Sequence, residues 1–185
     1  MRLDTYDNSD FDRGASRPVE ALWVLSKALF FLNPLPWPSA VRVSLLRLFG
    51  ARIGRGVVIR SGVNITFPWR VTIGDHVWIG EEVLILSLAP VTIGSHVCIS
   101  QRAFLCTGSH DWRRATFDLQ TGPITVEDQA WISAQAFIGL GTRIGYGSVV
   151  CAGSVVMKSV PTDSMVRGNP ATVSDISAVR TVPAQ

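Results

Sequence analysis

Aliphatic residues recur every six positions between Ile53 and Val156, and this period constrains the fold of the chain more than any other feature. A period of six fits neither one face of an α-helix nor a simple alternating strand. Glycines directly follow many of these residues, and small or branched residues tend to stand four positions on. The positions in phase are Ile53, Ile59, Ile65, Val71, Ile73, Ile79, Ile85, Val91, Ile93, Ile99, Leu105, Val126, Ile132, Ile138, Ile144, Val150 and Val156.

Each hexad is explained by one short strand followed by a tight turn. Three hexads would close a triangular coil of eighteen residues, or twenty where the register advances by two after Val71 and Val91. Coils stacked about 4.8 Å apart would align the aliphatic side chains in interior ladders. A hexad cannot bury its side chain alone, so the coils must stabilise one another. We therefore predict an all-β parallel β-helix rather than an accidental run of aliphatics in a β-sandwich.

The composition fits one compact domain. The 185 residues are 47% hydrophobic and only 17% charged, which suits a protein that hides part of its surface in an oligomer. The net charge is +3, and the basic residues are scattered, which disfavours nucleic-acid binding but allows an anionic small ligand. Cys98, Cys106 and Cys151 lack CxxC spacing and are predicted to be small core side chains. The polar N-terminus does not resemble a secretory signal, so we expect a cytoplasmic protein.

The sequence divides into four segments. Residues 1–18 form a polar tail, predicted to be disordered or loosely wrapped. Residues 19–50 form a helical segment, with one helix over 19–32 that ends at Asn33-Pro34 and another from about Ser39 to Phe49. The β-helix is predicted over 51–160 with a loop insertion at 109–125, and a C-terminal extension over 161–185.

The first predicted helix is apolar nearly all round, and two interpretations of it remain open. It is too short to span a bilayer. It can cap the open end of the coil stack or pack between subunits. Alternatively, residues 19–35 can make peripheral contact with a membrane surface, which would place the protein at the inner face of the membrane.

The repeat is interrupted once, between Leu105 and Val126, by fifteen residues more than the period needs. A β-helix accommodates such an insertion as a loop at one corner, where function commonly lies. His110 stands at the start of this loop. His76 and His96 occupy equivalent hexad positions and are predicted to stack at a corner of adjacent coils. Because a histidine can accept a proton near neutral pH, His110 is the strongest candidate for a catalytic base.

Several stretches of the sequence match one known family. They are Leu-Leu-Arg-Leu-Phe-Gly-Ala (45–51), Ile-Thr-Phe-Pro-Trp (65–69), Leu-Cys-Thr-Gly-Ser-His-Asp (105–111), the Trp131-Ile132 pair and Arg-Gly-Asn-Pro-Ala (167–171). With the hexads, they make the chain resemble the hexapeptide-repeat O-acetyltransferases, especially the colanic acid biosynthesis acetyltransferase type. The resemblance covers residues from about 19 to 171.

This resemblance implies a left-handed β-helix and a homotrimer with active sites between subunits. It also implies acetyl-CoA as the donor, and as acceptor a sugar hydroxyl of an exopolysaccharide or related glycan precursor. His110 matches the family's base. The pantetheine arm would lie near Trp131, Ala134 and Ala152, with Lys158 and Arg167 near the nucleotide phosphates. The chain departs from the family at Ser133, where many relatives have glycine, and at Met157, where they often have threonine.

The implied reaction is direct acetyl transfer, with His110 deprotonating the sugar hydroxyl and a backbone N–H stabilising the oxyanion. Asp111 would orient the imidazole or bind the sugar. Trp112 would stack on a sugar face or pack on the next subunit. No metal is expected, and no cysteine is placed as a nucleophile.

Two other functions are weighed. A zinc enzyme of the γ-class carbonic anhydrase type would need three imidazoles around the metal, and its pair of histidines five residues apart is absent from this sequence. A non-catalytic hexapeptide scaffold would have a featureless loop, which the Thr-Gly-Ser-His-Asp segment argues against.

Overall fold

The computed structural model describes residues 2–33 and 35–176, which form two helices followed by a parallel β-helix. The helices are α1 (Arg17–Phe30) and α2 (Ser39–Leu48), and 3₁₀ turns cover Leu3–Thr5 and Pro68–Arg70. The strands are β1 (Arg52–Ile53), β2 (Val58–Ile59), β3 (Asn64–Ile65), β4 (Val71–Ile73), β5 (Trp78–Ile79), β6 (Leu84–Leu86), β7 (Val91–Ile93), β8 (Cys98–Ile99), β9 (Phe104–Cys106), β10 (Gly108–His110), β11 (Leu119–Thr121), β12 (Ile124–Val126), β13 (Trp131–Ile132), β14 (Phe137–Ile138), β15 (Arg143–Ile144), β16 (Val149–Val150), β17 (Val155–Val156), β18 (Ser164–Arg167) and β19 (Thr172–Asp175).

Three sheets form the sides of a triangular prism, which confirms the predicted parallel β-helix. Face A consists of β1, β4, β7, β12 and β15, in that order. Face B consists of β2, β5, β8, β13, β16, β18 and β19, and face C of β3, β6, β9, β14 and β17. The chain passes from A to B to C in every coil, so the corners are A–B, B–C and C–A.

The strand register reproduces the predicted coil lengths. On face A, Ile53 pairs with Ile73 and Ile73 with Ile93, which are steps of twenty residues. Val126 pairs with Ile144, a step of eighteen. Ile93 pairs with Val126, and that step of 33 residues is one coil plus the insertion.

Two positions of the hexad point inward and are buried: the aliphatic residue, and the small or branched residue four positions after it. The aliphatic residues of the central coils, such as Ile79, Ile99 and Ile132, have no exposed surface, and Val83 and Ala103 beside the corners are equally buried. Each large aliphatic side chain removed from water contributes about 1.5–3 kcal/mol. The ladders are therefore the main source of cohesion between coils.

The A–B and B–C corners place one residue per coil in the left-handed backbone region. Gly56 at the A–B corner has a φ of +66°, and the equivalent His76 and His96 have φ values of 55° and 58°. A Cβ atom at Gly56 would lie 2.4 Å from the His76 imidazole, so a larger residue there would have to displace that ring. The rings of His76 and His96 stack with centroids 5.2 Å apart, as predicted.

The two helices cover the open end of the coil stack. Trp23 of α1 is buried, and its indole N–H donates to the carbonyls of Ile65 and Thr66. The backbone of Ile59, on the first coil, donates to the Ser39 hydroxyl oxygen and accepts from the Arg42 guanidinium. An uncovered first coil would leave a row of unpaired backbone groups, so these contacts protect the edge.

Both ends of the described chain add to the β-helix. The N-terminal tail contacts the first coil at two points. The Arg13 carbonyl of the tail accepts a hydrogen bond from the Trp69 indole N–H, and the Phe11 ring of the tail stacks on Phe67. The tail is thus wrapped against the coils. At the other end, β18 extends face B and β19 folds back antiparallel to it. The C-terminal extension beyond residue 176 lies outside the described residues, as does Pro34 at the end of the first predicted helix.

The cysteines correct one expectation. Cys106 is buried, but Cys98 and Cys151 are only half-buried, and all three are free thiols. Cys98 follows the inward Val97 and therefore points outward from face B, because successive side chains of a strand alternate between its two sides.

Candidate active site

The insertion folds into a two-stranded hairpin at the C–A corner. Strands β10 and β11 pair antiparallel, with Ser109 opposite Gln120 and His110 opposite Leu119. The buried Thr107 anchors the base of the hairpin, because its hydroxyl donates to the Leu86 carbonyl at 2.5 Å and accepts the Ala89 N–H at 3.0 Å. The hairpin therefore extends from a rigid coil rather than from a loose loop.

The His110 imidazole is held in one orientation by Phe117. Its Nδ1 lies 2.9 Å from the Phe117 carbonyl oxygen, and the two rings stack with centroids 4.3 Å apart and planes 1° apart. A carbonyl oxygen only accepts, so Nδ1 must carry the proton of this hydrogen bond. In the neutral ring, Nε2 then presents a lone pair that can take a proton from a substrate.

Phe117 adopts an uncommon backbone conformation. Its φ is 52°, in the left-handed region that bulky residues rarely occupy and that costs about 1–3 kcal/mol. Its N–H donates to the Arg114 carbonyl, and Asp118 next to it pairs with the Arg114 guanidinium. The Thr116 hydroxyl and, less strongly, Arg114 hold the pKa of the Asp118 carboxyl below its ordinary value. These local bonds hold Phe117 in its strained conformation and so fix the position of its carbonyl, which orients His110.

Asp111 and Trp112 lie on the same hairpin but do not touch the imidazole. The Asp111 carboxylate accepts the backbone N–H of Arg113 at 3.0 Å and so shapes the turn. The Phe117 carbonyl, rather than Asp111, therefore orients the His110 ring in this chain. Trp112 is 71% exposed, with the Arg113 guanidinium 5.5 Å from the centre of its ring.

The N-terminal tail reaches the hairpin, which the sequence did not predict. The Arg2 N–H donates to the Ala115 carbonyl at 2.8 Å. The Tyr6 ring packs edge-on against His110, with centroids 5.3 Å apart, and against Phe117. Neither Tyr6 nor Phe117 belongs to a periodic pattern, so nothing in the sequence indicated that they enclose the histidine.

The residues expected to bind the cofactor lie in three places. Trp131 is on the outer side of face B, where its indole N–H donates to the Ser100 hydroxyl oxygen at 2.9 Å. Ala134 and Ala152 stand one above the other at the B–C corner, since the Gly153 N–H donates to the Ala134 carbonyl. Arg167 ends β18 on face B. Lys158 follows β17 at the C–A corner and lines a cavity of about 310 Å³.

One chain does not bring all of these residues together. In a triangular prism, face B lies opposite the C–A corner, where the hairpin carries His110. Trp131 on face B is therefore on the far side of the coil from His110 of the same chain. Lys158 shares the corner with His110, two coils further along face C, because β17 pairs with β14 and β14 with β9.

Metal ligation and a cysteine nucleophile would be other sources of catalysis. Within residues 2–33 and 35–176, no group of three or more His, Cys, Asp or Glu side chains is placed to hold a metal ion. Burial raises the pKa of the Cys106 thiol, whose Sγ lies 3.1 Å from the Gly108 carbonyl. A thiol held in its neutral form is a poor nucleophile.

Comparisons with known proteins agree with this architecture. Residues 123–158 match the family described as a hexapeptide repeat of succinyl-transferase. The chain is 42% identical to the putative colanic acid biosynthesis acetyltransferase WcaF of Escherichia coli, over 88% of this chain and 89% of that protein. It is 29% identical to the galactoside O-acetyltransferase of the same organism, over 74% of this chain and 70% of that protein.

A solved structure shows the same fold with a ligand. It is a hexapeptide-repeat acetyltransferase from Vibrio cholerae in complex with acetyl coenzyme A, 31% identical to this chain. It superposes with a TM-score of 0.78 over 89% of this chain and 92% of that one. The chain therefore belongs to the hexapeptide-repeat acetyltransferases. Within them it is similar to the colanic acid biosynthesis type, and it is an acetyl-transferring enzyme rather than an inert scaffold.

Within the part of the chain that the structure describes, neither helix has the length and hydropathy to cross a bilayer.

Proposed function

We propose that the protein transfers the acetyl group of acetyl-CoA to a sugar hydroxyl of an exopolysaccharide or related glycan precursor, with His110 as the general base. The observation that carries this proposal is the hydrogen bond from Nδ1 of His110 to the Phe117 carbonyl. It leaves Nε2 available as a proton acceptor at the end of a rigid hairpin. The similarity to a colanic acid acetyltransferase supports a glycan as the acceptor.

The reaction is a direct transfer without an acyl-enzyme. Nε2 of His110 takes the proton of the sugar hydroxyl as the hydroxyl oxygen bonds to the thioester carbonyl carbon. The carbon–sulfur bond then breaks, and the imidazolium returns its proton to the departing sulfur. Asp111 shapes the turn that carries the base, and Trp112 offers an exposed ring on which a sugar face can stack.

The acetyl-CoA site is proposed at the small residues of the B–C corner and the basic residues beyond it. Ala134 and Ala152 stand at the corner position that Glu81 and Gln101 occupy in the two preceding coils. The flat wall that results suits the pantetheine arm, with Trp131 beside it. Lys158 and Arg167 would hold the nucleotide phosphates through their charge.

We further propose that the active enzyme is a homotrimer with each site between two subunits. A second copy would place its own C–A corner against face B and so unite His110 with Trp131. The outer residues of face B in the later coils support such a contact, because Trp131 is 47% exposed beside the half-buried Cys98, Val149 and Met165. An exposed aromatic side chain among half-buried apolar ones is typical of interfaces.

Replacement of the base tests the catalytic part of this proposal. His110→Ala should lower the rate of acetyl transfer by at least about a hundredfold, the usual scale for loss of a general base. The rate would be followed as CoA release with a panel of nucleotide sugars and lipid-linked oligosaccharides as acceptors. The melting temperature should stay close to that of the wild type, because His110 is only half-buried.

His96→Asn is the matched control. His96 lies at a different corner from the hairpin, and asparagine tolerates its left-handed backbone. This variant should retain wild-type turnover. Turnover near the wild-type value in His110→Ala would show that another group removes the proton.

A further inference from the structure

A cavity of about 400 Å³ lies between the α1–α2 connection and face B of the first coil. It is distant in the fold from the hairpin and is not used by the proposed reaction. Two arginines line it, Arg42 from α2 and Arg60 after β2. Leu35 and Trp37 from the connection are also among its lining residues.

Arg42 is a buried cation without an acidic partner among the described residues. It is 3% exposed, and its Nε and Nη1 donate to the carbonyls of Phe30, Trp37 and Ile59 at 2.9, 2.9 and 3.3 Å. None of the ion pairs formed within residues 2–33 and 35–176 includes it. Burial and the nearby charge of Arg60 lower its pKa. Neutral carbonyls orient the guanidinium but leave its charge uncompensated, which an anion in the cavity would correct.

Arg60 supplies a second cation at the edge of the cavity. Its Nε donates to the Glu81 carboxylate at 2.7 Å, and its guanidinium lies 5.9 Å from the centre of the Trp78 ring. Its side chain is half exposed, so it can turn toward a ligand. Glu81 neutralises only one of the two arginine charges, so the cavity keeps a net positive charge.

An exposed apolar stripe on α1 leads to this cavity. Its leucines recur with helical spacing and are each about half exposed: Leu22, Leu25, Leu29 and Leu32. Trp37 continues the stripe, because its indole N–H donates to the Leu29 carbonyl and its ring packs on Phe30. Leu35 and Trp37, at 53% and 36% exposure, add apolar surface to the lining of the same cavity. At a lipid surface, apolar side chains would contact the acyl chains, and a cation recessed beside them would lie next to the phosphate headgroup.

We propose that this cavity binds the phosphate headgroup of a membrane lipid while the leucine stripe of α1 lies in the interfacial region. The arginines supply the charge that attracts the phosphate, and the leucines supply the apolar contact. This selects the membrane-surface interpretation of residues 19–35 for the outer side of α1, whereas its Trp23 side caps the coils. The inference goes beyond the proposed acetyl transfer and does not depend on it.

Vesicle flotation with the full chain tests the proposal. The protein should float with phosphatidylcholine vesicles that contain about one third phosphatidylglycerol and bind pure phosphatidylcholine much more weakly. Arg60→Ala should weaken the anionic binding by about fivefold or more, the scale expected for one basic residue at a charged surface. Glu81→Gln should strengthen it, because Arg60 is then released toward the phosphate.

Arg55→Ala is the matched control for Arg60→Ala. Arg55 is also on the first coil and also forms an exposed ion pair, with Asp75 at 3.1 Å, but it lies at the A–B corner. Its loss should leave vesicle binding unchanged within about twofold. Equal losses in the two variants would mean that only the overall charge matters, and the proposal would be overturned, as it would be by an absence of flotation.

Two further measurements separate the sources of the phosphate and the occupants of the stripe. Leu25→Glu should abolish flotation while titration calorimetry still detects glycerol 1-phosphate in the cavity. Binding of glycerol 1-phosphate that depends on Arg60, without any vesicle binding, would assign the cavity to a soluble phosphate and overturn the lipid proposal. A smaller assembly in sedimentation of Leu25→Glu would assign the stripe to a subunit contact, with the same consequence. Because flotation needs no turnover, an inactive His110→Ala protein should float normally.

Discussion

The chemistry of His110 depends on which of its two nitrogens carries the proton. The Phe117 carbonyl selects the tautomer with hydrogen on Nδ1, and the stacked Phe117 ring keeps the imidazole in one plane. The left-handed conformation of Phe117 accompanies that arrangement, and this residue contacts the candidate base through both its backbone and its ring. A strained residue beside a candidate base is what a functional constraint would produce.

Phe117→Ala and Trp112→Ala should separate orientation of the base from binding of the acceptor. Phe117→Ala removes the ring stack, worth about 0.5–1.5 kcal/mol, and should lower kcat by roughly three- to tenfold with little change in acceptor KM. Trp112→Ala should raise the acceptor KM by a similar factor and leave kcat unchanged. Steady-state kinetics with acetyl-CoA at saturation would measure both. If the two variants changed kcat and the acceptor KM in the same way, the two rings would not have different roles.

At the scale of the strand, each element contributes one or two inward side chains and gains stability only through its neighbours on adjacent coils. Strand β4 shows this in three residues, since Val71 and Ile73 are 2% exposed while Thr72 between them faces solvent. Ile73 lies between Ile53 and Ile93 in its ladder. A strand this short has no stability of its own, so its inward residues matter far more than its outward ones.

Ile73→Ala and Thr72→Ala test this difference within one strand. Ile73→Ala opens a cavity in the ladder and should lower the free energy of unfolding by about 2–5 kcal/mol. Thr72→Ala should change it by no more than about 0.5 kcal/mol, as is usual at exposed positions. Denaturant titration followed by circular dichroism would give both values. Equal losses would contradict the assignment of the ladders as the source of cohesion.

At the scale of the molecule, a triangular coil cannot bring a corner to the face opposite it. His110 at the C–A corner and Trp131 on face B are therefore separated within one chain, and the proposed site would need a second copy to be complete. The proposed trimer is a ring of such contacts, each pairing the corner of one subunit with face B of the next.

Mixing two impaired variants tests the shared site. His110→Ala lacks the base, and Trp131→Ala should lower turnover at least about tenfold through loss of its contact with acetyl-CoA. If the two proteins are unfolded and refolded together, some contacts will join an intact hairpin to an intact face B. Activity should return to as much as about one quarter of the wild-type value for random assembly. Refolding that gives only the average of the two variants would place the whole site within one chain.

The coil architecture and the position of the inserted hairpin could be predicted from the sequence because they depend on local signals. A period of six indicates which side chains point inward, and the interruption before Val126 indicates where a loop is inserted into a coil. The family and enzyme class, which the comparisons confirm, could also be predicted from the sequence, because the motifs that carry them are contiguous. The placement of Cys98 in the core was wrong, because an apolar neighbourhood in sequence does not say on which side of a two-residue strand a side chain lies.

Other features were decided only by the tertiary structure. The contact of Tyr6 with His110 joins residues about a hundred positions apart, and no periodicity connects them. The hydrogen bond to Phe117 follows from the register of the hairpin and from a backbone angle that no residue type specifies. The burial of Arg42 beside Arg60 results from the packing of α2 on the first coil. Periodic side-chain patterns determine the coil, because burial repeats with them, whereas contacts between aperiodic segments depend on how the chain returns upon itself.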